Sequence, residues 1–168
     1  MEKAETQYTV IQIRDENIIN NVVPVNNCNC FEEIVPNFKK FMDGVKNSKI
    51  FGIFDENNNL VSQLFVVDGE YKGSPIKYIF AACTLEKYRK KGRMTALLSY
   101  CKQNYDKICL TPGNESLEEF YKKNGFTGRC ENNEIKFHDE EPYIRNFLLW
   151  GNFEGKENDH HMVIYNKN

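Results

Sequence analysis

A basic stretch is the first part of the chain whose residue types and spacing could do chemistry. Residues 89–94 read Arg-Lys-Lys-Gly-Arg-Met, and apolar residues follow at helical spacing: Met94, Leu97, Leu98 and Cys101. The free N–H groups and dipole of a helix start favour an anion by about 0.3–1 kcal/mol. Gly92 lets the backbone approach such a ligand closely, and the basic side chains add charge. We predict an anion cradle, although a solvated basic turn has the same composition.

A second polar group lies in residues 114–126. Ser116 and Glu119 have the spacing of a capping box, and Gly125 is a typical helix stop. The pattern predicts a helix with Leu117, Phe120 and Tyr121 on one face, so Tyr121 points inward. Taken alone, an inward tyrosine is a core aromatic, and Asn114 is a turn or capping residue.

The surrounding elements must position these two groups. The apolar run at 76–84 predicts a central strand covered on both faces, and a right-handed crossover helix joins it to a parallel strand at 108–111. The flanking patterns predict further strands and helices, listed in chain order: a strand at 8–13, helices at 15–23 and 31–45, a hairpin of 50–55 with 60–67, and strands at 134–138 and 162–165.

Length and composition narrow the class of protein. The 168 residues suit one domain spanning residues 1–168, with residues 1–6 as a loose tail. A net charge of −2, with the basic cluster confined to one loop, argues against a nucleic-acid partner. Six cysteines without a Cys-x-x-Cys pair argue against a metal site. Cys83, Cys101 and Cys109 lie in apolar stretches, where we expect free, buried thiols. No stretch is a signal peptide or a bilayer span, so we expect no membrane partner and a reducing, cytoplasmic setting.

Two motifs carry a resemblance to a known family. Residues 82–94, Ala-Cys-Thr-Leu-Glu-Lys-Tyr-Arg-Lys-Lys-Gly-Arg-Met, resemble motif A of the GNAT (Gcn5-related) N-acetyltransferases. Residues 114–126, with Asn114, Tyr121 and Gly125-Phe126 in register, resemble their motif B. The resemblance implies an α/β (α+β) GNAT fold. Its central mixed, twisted sheet would have about six to seven strands flanked by helices, with a splay between the fourth and fifth strands.

The resemblance also implies a co-substrate, acetyl-CoA, and places it residue by residue. Tyr121 would be the general acid beside the sulfur. The pantetheine arm would pair with the first strand of the crossover, the pyrophosphate would bind at the cradle, and Asn114 would contact the cysteamine region. The implied cofactor-binding residues are Ala82, Cys83, Thr84, Arg89, Lys90, Lys91, Gly92, Arg93, Met94, Thr95 and Asn114. The chain departs from the family pattern at Glu86, where many relatives have Pro, and at Met94, where many have Gly or Ala.

The base that deprotonates the acceptor is not evident in the sequence. Many relatives carry a Glu on the strand that matches residues 76–84, and this strand has none. Glu70 is the tentative base because it ends the preceding strand. Asp68, three histidines (His138, His160 and His161) and the terminal carboxylate of Asn168 are weaker candidates.

The predicted function is transfer of an acetyl group from acetyl-CoA to a primary amine of a small molecule or peptide. The alternative is a catalytically silent acyl-CoA-binding regulator with the same fold, which the missing strand Glu keeps open. An aromatic insert at 143–153 is either a lid or a packing strap. We expect a monomer or a homodimer.

Overall fold

A computed structural model of the chain describes residues 7–14, 48–138, 145, 148 and 161–167. The helices predicted at 15–23 and 31–45 lie outside the described residues. So does most of the insert at 143–153, apart from Arg145 and Leu148.

The described residues form eight strands, two α-helices and two short 3-10 helices. The strands are β1 (Ile11–Ile13), β2 (Lys49–Phe54), β3 (Leu60–Tyr71), β4 (Ser74–Thr84), β5 (Lys107–Leu110), β6 (Gly128–Cys130), β7 (Ile135–Phe137) and β8 (Met162–Asn166). The α-helices are α1 (Arg93–Asn104) and α2 (Glu115–Lys123). The 3-10 helices span Glu86–Tyr88 and Asn132–Glu134.

The strands form one mixed sheet with the order β1-β2-β3-β4-β5-β8-β6. The pairing of β4 with β5 is parallel, and α1 is the crossover between them, as the sequence predicted. β8 pairs antiparallel with both β5 and β6, so it lies between them. The expected mixed sheet flanked by helices is confirmed, with eight strands in the described part.

The hairpins follow from the turn residues. Asn58 takes a φ of 63° in the turn between β2 and β3, where Asp55 accepts hydrogen bonds from the amides of Asn57 and Asn59. Lys72 (φ 50°) and Gly73 (φ 79°) form the turn between β3 and β4. The polar stretch at 68–75 therefore extends this hairpin instead of forming a separate connection.

Apolar side chains fill both faces of the sheet. One face carries a cluster that includes Phe65, Tyr78 and Ile135. On the other face, α1 and α2 cover a cluster that includes Ile79 and Leu110 from the sheet with Leu97 and Leu98 from α1. Burying each such leucine stabilises the fold by about 1.5–3 kcal/mol. This second face, the helix face, holds the candidate site.

The strand predicted at 134–138 is confirmed as β7, which pairs with the end of β3, apart from the path that the other strands follow. Two other expectations are corrected by the structure. Helix α2 begins two residues earlier than the capping-box pattern predicted, and its N-cap is Asn114 instead of Ser116. Cys83 is disulfide-bonded, although the apolar surroundings in the sequence predicted a free thiol. The thiols of Cys101 and Cys109 are free and buried, as expected.

Candidate active site

A β-bulge in β4 opens the sheet beside β5. Gln63 pairs with Cys83 and Phe65 with Phe80, so Leu64 alone faces two residues of β4. Ala81, in that bulge, has a φ of 53°, which is rare for a residue other than glycine. The bulge bends β4 just beyond its last pairing with β5.

The opening begins beyond the last pair of residues that β4 shares with β5. Ile79 pairs with Leu110, and β5 ends there, whereas β4 continues for five more residues. From residue 80 to residue 84, the described part of the chain offers no β5 partner to this edge of β4. This is the splay that the family resemblance implied between the fourth and fifth strands. Ala82 lies along it, and the carbonyl of Thr84 accepts a hydrogen bond from Nε of Arg89 at 2.8 Å.

The predicted anion cradle follows β4 and leads into α1. Gly92 is the N-cap of α1 with a φ of 85°, and no side chain caps this helix start. The amides of Arg93, Met94 and Thr95 belong to its first turn, where no carbonyl four residues earlier is available within the helix. Among the described residues, the amides of 90–92 also donate to no other backbone group. Within the described part of the chain, six consecutive N–H groups, at residues 90–95, are therefore open to an anion.

The Arg93 side chain is fixed beside the cradle. Its guanidinium lies 4.8 Å from the ring centre of Tyr8 and 4.9 Å from that of Tyr88, so it is held between two aromatic rings. Its Nη1 donates to the carbonyl of Tyr88 at 3.2 Å. Its buried Nε has no hydrogen-bond partner among the described residues. A positive charge is thus pre-positioned at the helix start.

The two tyrosines are themselves anchored. The Tyr8 hydroxyl donates to the carbonyl of Lys91 at 2.7 Å, and the Tyr88 hydroxyl donates to Asp55 at 2.9 Å. Hydrogen bonds from the Asn59 amide, from Tyr88 and from the Asn57 amide lower the pKa of Asp55. The cradle is therefore tied to the first strand segment and to the β2–β3 turn.

Helix α2 starts at Asn114, an exposed residue that serves as its N-cap. The side chain of Asn114 caps the helix by accepting from the amide of Leu117 at 2.9 Å. Its Nδ2 group is a donor that a ligand could use. Leu117 is 40% exposed, which corrects the expectation that it shares the inner face with Tyr121.

Tyr121 points inward, as predicted. Its side chain is 7% exposed and belongs to the same apolar cluster as Ile79 and Leu110, which form the last row before the splay. Its ring packs edge-on against Phe120 and Phe126, with ring centres 5.4 Å and 6.0 Å away. Tyr121 and the cradle therefore lie on the same face of the sheet.

Glu70 is not brought together with these groups. It pairs with Pro75 at the start of β4 and with Lys136 on β7, and its side chain is exposed. Five residues separate Pro75 from Phe80, so about 17 Å of strand lies between Glu70 and the splay. Its assignment as base stays a prediction without geometric support.

The face opposite the helices is closed by aromatic side chains. The Tyr78 hydroxyl lies 3.0 Å from Oγ1 of Thr111 and also donates to the carbonyl of Leu148. Burial raises the pKa of Tyr78 well above its usual range, so this hydroxyl stays protonated. Arg145 donates to the carbonyl of Ile135 at 3.1 Å. The two described residues of the aromatic insert therefore contact the sheet, as a packing strap would.

Three side-chain contacts at the site were not predicted from the sequence, because each joins distant segments of the chain. Tyr8 reaches a loop 83 positions later, and Tyr88 contacts Asp55 across 33 positions. His161, considered only as a weaker base, contacts Glu118 through Nε2 at 2.7 Å from Oε1. The sequence offered only two signs of these contacts: an aromatic residue before the first strand and a histidine before the last.

Solved structures of acetyltransferases share this fold. A GNAT-family acetyltransferase from Staphylococcus aureus Mu50 matches with a TM-score of 0.61 and 14% identity, over 96% of this chain and 100% of that chain. The Bacillus subtilis N-acetyltransferase YlbP, solved with coenzyme A, matches with a TM-score of 0.58 and 13% identity, over 95% and 97%. N-acetylglutamate synthase from Neisseria gonorrhoeae, complexed with coenzyme A and N-acetyl-glutamate, matches with a TM-score of 0.65 and 10% identity, over 98% of this chain and 36% of that chain.

No protein-family model matches the chain, and no curated protein does. At these identities the likeness establishes the fold. The chain has the GNAT acetyltransferase fold, with the parallel β4–β5 pair and the splay beyond it.

Two absences concern the described residues. Within them, no group of three or more His, Cys, Asp or Glu side chains is placed to hold a metal ion. Neither α1 nor α2 is long and apolar enough to cross a membrane.

Proposed function

We propose that this chain is an acyltransferase of the GNAT type, which moves an acetyl group from acetyl-CoA to a primary amine. The observation that carries the proposal is the splay between β4 and β5, with the open amides of 90–95 at one end and Tyr121 on the same face. The acceptor is the amine of a small molecule or a peptide.

The cradle suits the pyrophosphate of coenzyme A. Six open N–H groups and a helix dipole favour a doubly charged anion, and Arg93 is already held in place. Lys90 and Lys91 have exposed side chains that add positive charge to the approach. The side chain of Met94 packs into the apolar cluster beneath α1, so its bulk leaves the helix entry open.

The pantetheine arm would run along β4 toward Tyr121. Beyond Ile79, no β5 residue in the described part of the chain pairs with β4, so an amide-bearing chain can lie along this edge as a neighbouring strand would. Because Arg89 already occupies the carbonyl of Thr84, Ala82 and the backbone around it are the better partners. Nδ2 of Asn114 adds a donor at the start of α2.

The chemistry is attack of a neutral amine on the thioester. At pH 7, removing the proton from a lysine-type ammonium with a pKa near 10.4 costs about 4.6 kcal/mol. The departing thiolate, with a pKa near 8.5, needs a proton, and a tyrosine with a pKa near 10 can supply it. Tyr121 is the group that we assign to this step.

Two glycines make a matched test of the cradle. Gly92 and Gly73 both have positive φ, and a new Cβ would meet only Tyr8 at 4.0 Å in the first case and no described atom within 4 Å in the second. Both Gly→Ala changes should therefore cost about 1–2 kcal/mol of stability. Only Gly92→Ala should weaken acetyl-CoA binding in calorimetry, by tenfold or more, whereas Gly73→Ala should stay within twofold. Equal affinities in the two variants would contradict the cradle.

A separate measurement distinguishes the enzyme from a silent regulator. The protein is incubated with acetyl-CoA and a panel of small and peptidic primary amines, and release of free thiol is followed. Transfer to any amine supports the enzyme. Tight acetyl-CoA binding without transfer to the panel would favour the regulator, whose main support is the absence of an acidic residue from β4.

A further inference from the structure

A histidine–carboxylate pair lies on the helix face outside the groups assigned so far. Nε2 of His161 is 2.7 Å from Oε1 of Glu118, and the two side chains are 15% and 18% exposed. Such a pair needs two segments to meet, since the residues are 43 positions apart.

The pair lies at the end of the sheet where the splay opens. Ile79, Leu110 and Val163 form one row across β4, β5 and β8. His161 is two residues before Val163 on an antiparallel strand, so it lies about 6–7 Å beyond that row, on the side of the splay. At two strand spacings, about 10 Å, from β4, it is within reach of the splay through bridging water.

The other partner lies between two residues already assigned to the site. Asn114, Glu118 and Tyr121 follow one another at spacings of four and three residues, so they form one stripe on α2. Side chains at such spacings have Cβ atoms about 5–6 Å apart. The pair is therefore next to the tyrosine that we assign as proton donor.

The hydrogen bond fixes the role of each imidazole nitrogen. The contact with His161 lowers the pKa of Glu118, which keeps this carboxylate ionised near neutral pH. An ionised carboxylate only accepts hydrogen bonds, so Nε2 must carry a proton. In the neutral ring, Nδ1 then carries the lone pair that a general base requires.

The geometry points to His161 as the base of the transfer, with Glu118 as the residue that positions it; this inference rests on the proposed acetyl transfer. Over the reaction the acceptor's ammonium loses two protons, the N–C bond forms and the C–S bond breaks. One proton ends on the thiol of coenzyme A, by way of Tyr121. Nδ1 of His161 accepts the other through water and releases it to solvent.

The other charged groups around the pair are engaged elsewhere, so the role of base falls to His161. Lys122 contacts Glu118 at 3.5 Å from the exposed side of α2. Glu131, next in register beyond the β6–β8 pairing, uses its side chain in a capping box with Glu134. On the β5 side, the register continues to Pro112, which does not titrate.

The test compares His161→Gln and Glu118→Gln with Lys123→Gln, which changes an exposed side chain at the end of α2. We expect His161→Gln to lower kcat about 10²–10⁴-fold and to remove the acidic limb of the pH–rate profile. Glu118→Gln should lower kcat less than His161→Gln does, because the imidazole remains but loses the carboxylate that orients it. Lys123→Gln should change neither kcat nor the acidic limb. All variants should bind acetyl-CoA with wild-type affinity.

The outcomes separate the two proposals. Wild-type turnover and an unchanged acidic limb in His161→Gln would overturn the base and leave the acetyltransferase intact. Failure of the wild type to bind acetyl-CoA would overturn both. If the wild type binds acetyl-CoA without transfer to the panel, NMR of the His161 imidazole nitrogens tests the assignment. A proton on Nε2, together with a change in the Nδ1 chemical shift on acetyl-CoA binding, supports it. A proton on Nδ1 overturns it.

Discussion

At the scale of single residues, the candidate site combines groups that the sequence predicted, Tyr121 among them, with contacts that it did not predict. Tyr121 was found because helical spacing turned it inward, and the motif resemblance gave it a role. The contacts that hold Arg93 between two rings were not predicted, because Tyr8 and Tyr88 reach it only after the strands have assembled. Periodicity reports which face a residue occupies, and it carries no information about contacts between distant segments.

Tyr121→Phe tests the residue-scale assignment. The ring and its contacts with Phe120 and Phe126 are retained, so acetyl-CoA affinity should stay within about twofold. Loss of the proton donor should lower kcat about 10²-fold or more. Tyr165→Phe is a matched control, because its ring packs on Phe126 with ring centres 5.8 Å apart in the same cluster. Equal loss of affinity and kcat in Tyr121→Phe would argue against the acid role.

At the scale of elements, the sequence predicted the strand–helix–strand crossover and its parallel pairing. The bulge that opens the sheet was not predictable from residues 76–84, because they read as one continuous apolar run. Two successive residues, Phe80 and Ala81, point to the same face there, whereas a regular strand alternates. The backbone strain at Ala81 is the physical sign of this irregularity.

Two substitutions at Ala81 test whether the bulge maintains the splay. Glycine adopts a φ of 53° without strain, so Ala81→Gly should change the free energy of unfolding by less than about 1 kcal/mol. Valine is β-branched and fits this conformation poorly, so Ala81→Val should cost about 2–3 kcal/mol or shift the bulge. Chemical denaturation gives the stability, and calorimetry should show weaker acetyl-CoA binding only for the valine variant. Wild-type stability and affinity in Ala81→Val would contradict this role.

At the scale of the whole molecule, charge is distributed unevenly. The net charge is −2, whereas residues 89–93 place four basic side chains around one helix start. Net charge alone therefore says little about an anionic ligand, and the local field decides. The overall sheet order was harder to predict than its elements, because β8 pairs between β5 and β6 and β7 pairs back on β3.

The local field makes acetyl-CoA binding sensitive to salt. Raising NaCl from 0.1 M to 1 M shortens the Debye length from about 10 Å to about 3 Å. We expect the Kd for acetyl-CoA to rise several-fold over this range. A double variant, Lys90→Gln with Lys91→Gln, should bind more weakly at 0.1 M and show a flatter response, because it removes two exposed charges and leaves the amides. An identical salt response in wild type and variant would place the anion elsewhere.

The position of β8 has a consequence for biosynthesis. β5 and β6 are complete once residue 130 has been made, yet both must wait for residues 162–166 before their shared partner exists. During translation the central strand β5 therefore keeps an unpaired edge, and such edges recruit other chains. A ribosome that pauses between these two segments would expose that edge, so the rate at which the last strand emerges affects the yield of native protein.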